Sequence, residues 1–426
     1  MKHWSFFLKT NLIVLAITNC ASVLNFLCQI YLARNLDADG LGIYAATSSI
    51  AVVFFSFFGV VPMVVAKACI QFGEVSERKK RALTSLFLLF GGVALVCVAV
   101  LLVVAPWIAL SLKIPSSLPI RIFSIQLGLI VPVAFLSGVF AGEQRFALFA
   151  IKDLSLAIAR LAAFFLFVGI LAKSYIGALS ADVVATLLTF LILIFMGRSK
   201  TEFSWCVLGQ KGRWQDLPSL LLYAVPVALT QWLIGVVSQA DILIVKAHLI
   251  GTEAGIYAAM SGLSKIPFFV GGALMAVLLP RVMSEAHQKT SSLGSAVVAI
   301  SLTFVCSAAV SSLIVFFSGS IVRTVLGERY IAGAPILSLG AISMSILAMV
   351  GVLFNFFLGK GIYGFLLPSV CALGVGIGLV MICFNTSAIA VAQGWLGLVS
   401  ILLAVNLMYL FIRFRKEFRA LAKNYI

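Results

Sequence analysis

Apolar runs long enough to cross a bilayer as helices, about 20 residues each, recur along the whole chain between short polar breaks. Twelve are read, at 12 to 33, 41 to 66, 83 to 105, 120 to 142, 151 to 172, 176 to 197, 217 to 245, 253 to 279, 293 to 317, 333 to 357, 365 to 383 and 390 to 412. They are too long for buried strands. Pro62, Pro132, Pro226 and Pro267 fall inside them, a placement membrane helices tolerate better than soluble ones. The pattern predicts an all-α, polytopic membrane protein of about 12 transmembrane helices. Pro62 and Pro267, in the second and eighth spans, are expected to kink their helices.

Composition agrees and narrows the class. Of 426 residues, 62% are hydrophobic and 10% charged, against about 25% charged in soluble domains, which speaks against a disordered chain or a soluble enzyme. The net charge of +16 is compatible with a nucleic-acid footprint or with basic cytoplasmic loops, and position decides. With the N-terminus in the cytoplasm, that face holds 21 of the 30 basic residues and the opposite face 7. The positive-inside rule then predicts both termini cytoplasmic and no nucleic-acid partner. The first apolar run follows Lys2 and Lys9 without a small-residue cleavage site, so it is expected to stay as an anchor. The eight cysteines form no C-x-x-C pair and the three histidines are scattered. Neither a metal nor a disulfide is expected.

An internal repeat organises the spans. Gly-Ile-Tyr-Ala-Ala occurs at Gly42–Ala46 and again at Gly255–Ala259, 213 residues later, and opens the second and the eighth span. The same offset carries Thr18 onto Gln231, Asn25 onto Ser238 and Ser48 onto Ser261. Two copies of six helices cross in the same sense, because six is even, and predict two parallel lobes around a central cavity. The longest loop, about 198 to 216, reads as the linker, with lobes at 1 to 205 and 206 to 426.

Polar positions within the spans supply the candidate chemistry. Asn11, Thr18, Ser22, Asn25 and Gln29 lie on one face of the first span, as the wall of a wet cavity or a set of interhelical hydrogen bonds would. Gln231, Ser238 and Asp241 answer from the seventh span, and Tyr257, Ser261, Ser264 and Lys265 from the eighth. Charges inside a bilayer mark function by default. They are Arg160, Asp182, Asp241 and Lys265. Arg160 and Asp182, in adjacent spans, are placed to neutralise each other. Lys265 has no neighbour of opposite sign in its own helix and is the first candidate for an anionic substrate. Asp241 is a candidate to bind a coupling cation or to hold Lys265. Arg34, at the outer end of the first span, fits a ligand or a snorkelling side chain.

Several short motifs carry a resemblance. Ala33-Arg34-Asn35-Leu36 with Gly40-Leu41-Gly42-Ile43-Tyr44, Asp241-Ile242-Leu243-Ile244-Val245 leading to Gly255-Ile256-Tyr257, Gly327-Glu328-Arg329-Tyr330 with Ala334-Pro335-Ile336-Leu337, and Gly359-Lys360 resemble bacterial polysaccharide exporters of the O-antigen flippase type. Their superfamily also holds multidrug and toxin extruders and peptidoglycan-precursor flippases. Twelve spans fit the O-antigen branch better than the fourteen of the precursor flippases. The resemblance implies a multi-pass protein of the bacterial inner membrane, not an enzyme, that moves an undecaprenyl-pyrophosphate-linked oligosaccharide from the cytoplasmic to the periplasmic leaflet by alternating access. Membrane lipids and other polysaccharide assembly proteins are the implied partners. No cofactor is implied beyond a coupling H+ or Na+.

The substrate-binding set expected on this reading is Lys265, Arg34, Asn25, Gln29, Ser261 and Arg160, with Asp241 and Asp182 for ion coupling or charge balance. Three rivals stand against that reading, and one of them, a purely structural membrane protein, would need neither the asparagine and glutamine stripe nor Lys265. A multidrug extruder of the same superfamily uses a membrane-buried carboxylate, often in the first helix, where this chain has none; Asp182 and Asp241 keep it open. A membrane O-antigen polymerase needs a large outer loop with reactive groups, and the loops at 106 to 119 and 318 to 332 are short and lack paired carboxylates,.

Overall fold

The structure is a computed structural model and describes residues 2–72, 77–171, 174–198, 217–249, 251–271 and 293–415. Among these residues there is no strand, and eleven helices are long and apolar enough to cross a membrane. The eighth expected span, 253 to 279, is described only to residue 271, and the linker and lobe boundary expected near 205 lie outside the described residues. The chain divides into two compact units, Met1–Gln231 and Trp232–Ile426.

The first unit contains α1 (Lys2–Asn35), α2 (Ala38–Phe58), α3 (Val60–Phe72), α4 (Glu77–Ser111), α5 (Leu118–Gly142), α6 (Phe146–Phe164), α7 (Tyr175–Arg198) and the first part of α8 (Leu217–Val237). Helices α2 and α3 are one span interrupted at Gly59. Pro62, which has no N–H to give the carbonyl four residues back, accounts for the break just before it. The span begun by α6 ends in a π-helical stretch, Phe165–Leu171. Helix α5 is the most enclosed span of this unit and packs on α3, α4 and α7. Its contact with α3 is made through Gly138 and Gly142. A Cβ on Gly138 would lie 2.7 Å from the Val65 Cβ and 2.8 Å from the Pro62 Cα. Small residues four apart allow such close backbone approach, which lipid, unlike water, does not drive by exclusion.

The second unit holds the rest of α8, then α9 (Ala240–His248), α10 (Thr252–Ser264), α11 (Leu293–Phe316), the short α12 (Ser318–Val325), a 3-10 turn (Glu328–Gly333), α13 (Ala334–Gly359), α14 (Leu366–Cys383) and α15 (Ala388–Arg413). Helix α13 is the most enclosed span here and packs on α10, α11 and α15. It is the fourth span of its six, as α5 is in the first unit, so the two copies of the repeat share their central helix. Buried hydroxyls fasten α11 to α13. Ser311 Oγ lies 2.6 Å from Ser345 Oγ, which in turn donates to the Ser307 carbonyl at 2.9 Å.

The seventh span, read as one run, and the eighth, expected to kink at Pro267, are both broken. Helix α8 ends at Val237 and α9 starts at Ala240, with Gln239 at φ −139°, ψ −22° between them. Helix α10 ends at Ser264, Lys265 forms its cap, and the chain is helical again over 266 to 271. Pro267 explains the second break as Pro62 explains the one at Gly59. No proline or glycine stands at Ser238–Gln239.

Candidate functional site

In the first unit, four helices converge on one ion pair. Arg160 of α6 places its Nε 2.7 Å from Asp182 Oδ1 of α7. The Tyr44 hydroxyl of α2 donates to the other carboxylate oxygen at 2.9 Å. Arg160 Nη1 also donates to Asn25 Oδ1 of α1 at 3.3 Å, and Asn25 Nδ2 donates to the Ala21 carbonyl. Asp182 is 3% exposed, and a carboxylate so enclosed is tolerable only with such partners. Below it Thr186 donates to the Asp182 carbonyl at 2.8 Å and accepts from Gln126 at 3.3 Å. Every charge in this cluster is matched.

The second unit builds a different arrangement at its two helix breaks. Lys265 donates from Nζ to Gln239 Oε1 at 2.9 Å, joining the break in the eighth span to the break in the seventh. Asp241 sits in the first turn of α9, and Lys265 caps the C-terminus of α10. Each charge therefore occupies the helix end that favours its sign. The Tyr257 hydroxyl donates to Asp241 Oδ2 at 2.9 Å, and Asp241 Oδ1 has no side-chain hydrogen-bond partner among the described residues. One turn beyond Tyr257, the hydroxyl of buried Ser261 likewise has no hydrogen-bond partner among them. The charges of Asp241 and Lys265 are close enough to act on each other. The first helix break is itself braced, because Trp395 of α15 donates its indole N–H to the Val237 carbonyl at 3.1 Å.

The eight expected site residues thus separate into three groups. Asn25, Arg160 and Asp182 are joined in the first unit; in the second, Asp241 and Lys265 stand at the two helix breaks and Ser261 one turn before Lys265 on α10. Gln29 and Arg34 lie outside both clusters, exposed on α1. Of the stripe on the first span, Thr18 and Ser22 are exposed too, and Ser22 returns its hydroxyl to the Thr18 carbonyl. Sequence reasoning missed Tyr44, Gln239 and Trp395. The repeat pentapeptide contains Tyr44 and Tyr257 and was the available signal for the tyrosines. Gln239 had none, since the break that exposes it carries no helix-breaking residue. Among the described residues no group of three or more His, Cys, Asp or Glu side chains is placed to hold a metal ion.

The fold recurs in solved transporters. The lipid II flippase MurJ in an inward closed conformation superposes with a TM-score of 0.74 at 14% identity, over 94% of this chain and 87% of that one. An inward-facing multidrug resistance MATE family transporter of the MOP superfamily gives a TM-score of 0.77 at 13% identity, over 97% and 99%. A MOP superfamily transporter from Pyrococcus furiosus gives 0.59 at 13% identity, over 96% and 94%. At these identities the likeness is one of fold, that of membrane transporters of the MOP superfamily. No curated protein matches the chain in sequence. A family model does, that of the polysaccharide biosynthesis proteins, over residues 8–287. The chain is a member of the polysaccharide biosynthesis protein family.

Proposed function

We propose that this transporter is a flippase of the bacterial inner membrane, with both termini cytoplasmic. It moves undecaprenyl-pyrophosphate-linked O-antigen or related polysaccharide units from the cytoplasmic to the periplasmic leaflet by alternating access, without covalent chemistry. The observation that carries the reading is the unequal treatment of two intramembrane cations. Arg160 is matched by a carboxylate at 2.7 Å, whereas Lys265 is held at 2.9 Å by a neutral amide oxygen. A sugar pyrophosphate needs a cation that can exchange its partner and hydroxyl or amide groups beside it. Lys265, Gln239 and the Ser261 hydroxyl are of those types, at helix breaks of the kind that line substrate sites in repeat-built transporters. The lipid tail stays in the bilayer.

Lys265→Ala is expected to reduce surface polysaccharide at least tenfold in a complementation assay, with protein level and membrane insertion unchanged. Wild-type polysaccharide in that strain would remove Lys265 from the mechanism. Asp241 is assigned to coupling with H+ or Na+, and transport that is indifferent to both gradients would discard that role. The buried carboxylates Asp182 and Asp241 favour one rival, a multidrug extruder. Drug efflux by the overexpressed protein, with no change in surface polysaccharide on its deletion, would establish that rival instead.

A further inference from the structure

We infer that Trp395 is a positioning residue for the Lys265 site, acting by holding the seventh span open at Ser238–Gln239. The role rests on the reading of Lys265 just given. Three observations lead to it. The Val237 carbonyl is the acceptor that an unbroken helix would offer to the N–H of Asp241, four residues on. Here the Trp395 indole N–H takes it at 3.1 Å. The break has no proline at it, and although Ser238 Oγ donates to the Gly235 carbonyl at 2.9 Å, that bond leaves the Val237 carbonyl for the indole to take. Finally, Trp395 lies in α15, which packs on α9, and it is buried.

The repeat sharpens the point. Trp395 stands 213 residues after Asp182, so the two occupy the same place in the two copies. In the first copy that place carries the carboxylate that neutralises Arg160. In the second it carries a neutral donor that bonds backbone instead of a cation. Lys265 bonds Gln239, whose side chain reaches it because residues 238 and 239 are out of the helix. If the indole N–H is lost, the broken form leaves the buried Val237 carbonyl without that partner, which favours closing the helix onto the Asp241 N–H and turns Gln239 away from Lys265.

The test uses the full-length protein in lipid nanodiscs. Hydrogen–deuterium exchange over residues 234 to 243 reads the break directly and needs no substrate. Trp395→Phe keeps an aromatic ring in the core and removes the donor, and it should slow exchange of the Asp241 amide at least tenfold; Trp395→Tyr, which retains a donor of different reach, should fall between. Exchange unchanged in both variants overturns the inference, whatever the substrate. Binding of undecaprenyl pyrophosphate then connects the break to function. Trp395→Phe and Gln239→Ala should each raise Kd about tenfold, and the double variant should be no worse than Gln239→Ala alone. Additive losses would show that Trp395 acts by another route and overturn the inference. Unchanged Kd in Lys265→Ala would instead fault the assignment of Lys265 as the anion ligand, and the exchange result would still decide whether Trp395 holds the break.

Discussion

Tyr44 and Tyr257, 213 residues apart in the repeat, each donate a 2.9 Å hydrogen bond to a buried aspartate. The aspartates are not repeat mates. Asp182 reaches Tyr44 from the sixth span, whereas Asp241 reaches Tyr257 from the seventh, at the position that Cys28 occupies in the first copy. Cys28 is buried within range of the Asp182 and Arg160 charges, so both copies set a carboxylate in the same neighbourhood from different helices. The hydroxyl contact is preserved while the carboxylate it meets comes from a different helix.

The two tyrosines should therefore respond differently to loss of the hydroxyl. Tyr44→Phe leaves Asp182 with Arg160, and should lower thermal stability by about 1 kcal/mol with transport within twofold of wild type. Tyr257→Phe takes from Asp241 its side-chain hydroxyl partner beside Lys265, and transport should fall at least fivefold. Melting in detergent and a flipping assay in proteoliposomes separate the two effects. Equal transport losses would contradict the asymmetry.

The Arg160–Asp182 pair is expected to be structural. Asp182→Asn leaves the guanidinium without its counter-charge and should destabilise the protein by about 2–3 kcal/mol, below the ~3–5 kcal/mol of a fully buried pair. The reason is that Arg160 keeps 28% of its side-chain surface. Replacing both residues, in Arg160→Leu with Asp182→Leu, should recover most of that loss. A double variant as unstable as the sum of the single ones would show that the two charges do not act as a pair.

Gly138 offers a test of the packing alone. A leucine there must displace α3 at Pro62 and Val65, where even a Cβ comes within 2.8 Å of backbone, and little folded protein should be recovered. A Cβ on Gly92 of α4 would meet nothing within 4 Å, so Gly92→Leu should be recovered at wild-type level. Size-exclusion profiles of the two variants, expressed in parallel, make the comparison.

The spans and their class were legible because a bilayer demands long uninterrupted apolar runs, and a composition with 10% charge leaves few places to end them,. The repeat was legible in one pentapeptide and in the phase of Asn25, Ser48 and their mates. Pairing of Arg160 with Asp182 was foreseeable, since adjacent helices carry opposite charges. The break at Ser238–Gln239 was not, because it depends on Trp395, 156 residues beyond Gln239, and no local propensity reports a distant donor. Which residues of the first span meet Arg160 was not legible for a related reason: one face of a helix identifies neighbours along that helix but not what stands opposite.

The break in the eighth span also sets a depth. From Thr252 to Lys265 the helix rises about 20 Å at 1.5 Å per residue,, roughly two thirds of a ~30 Å hydrocarbon core. Helix α9, nine residues long, covers only about 13 Å. The ammonium and the carboxylate therefore enter from the same rim by rods of unequal length. Of the two groups, Lys265 stands farther along its helix from that rim than Asp241 does.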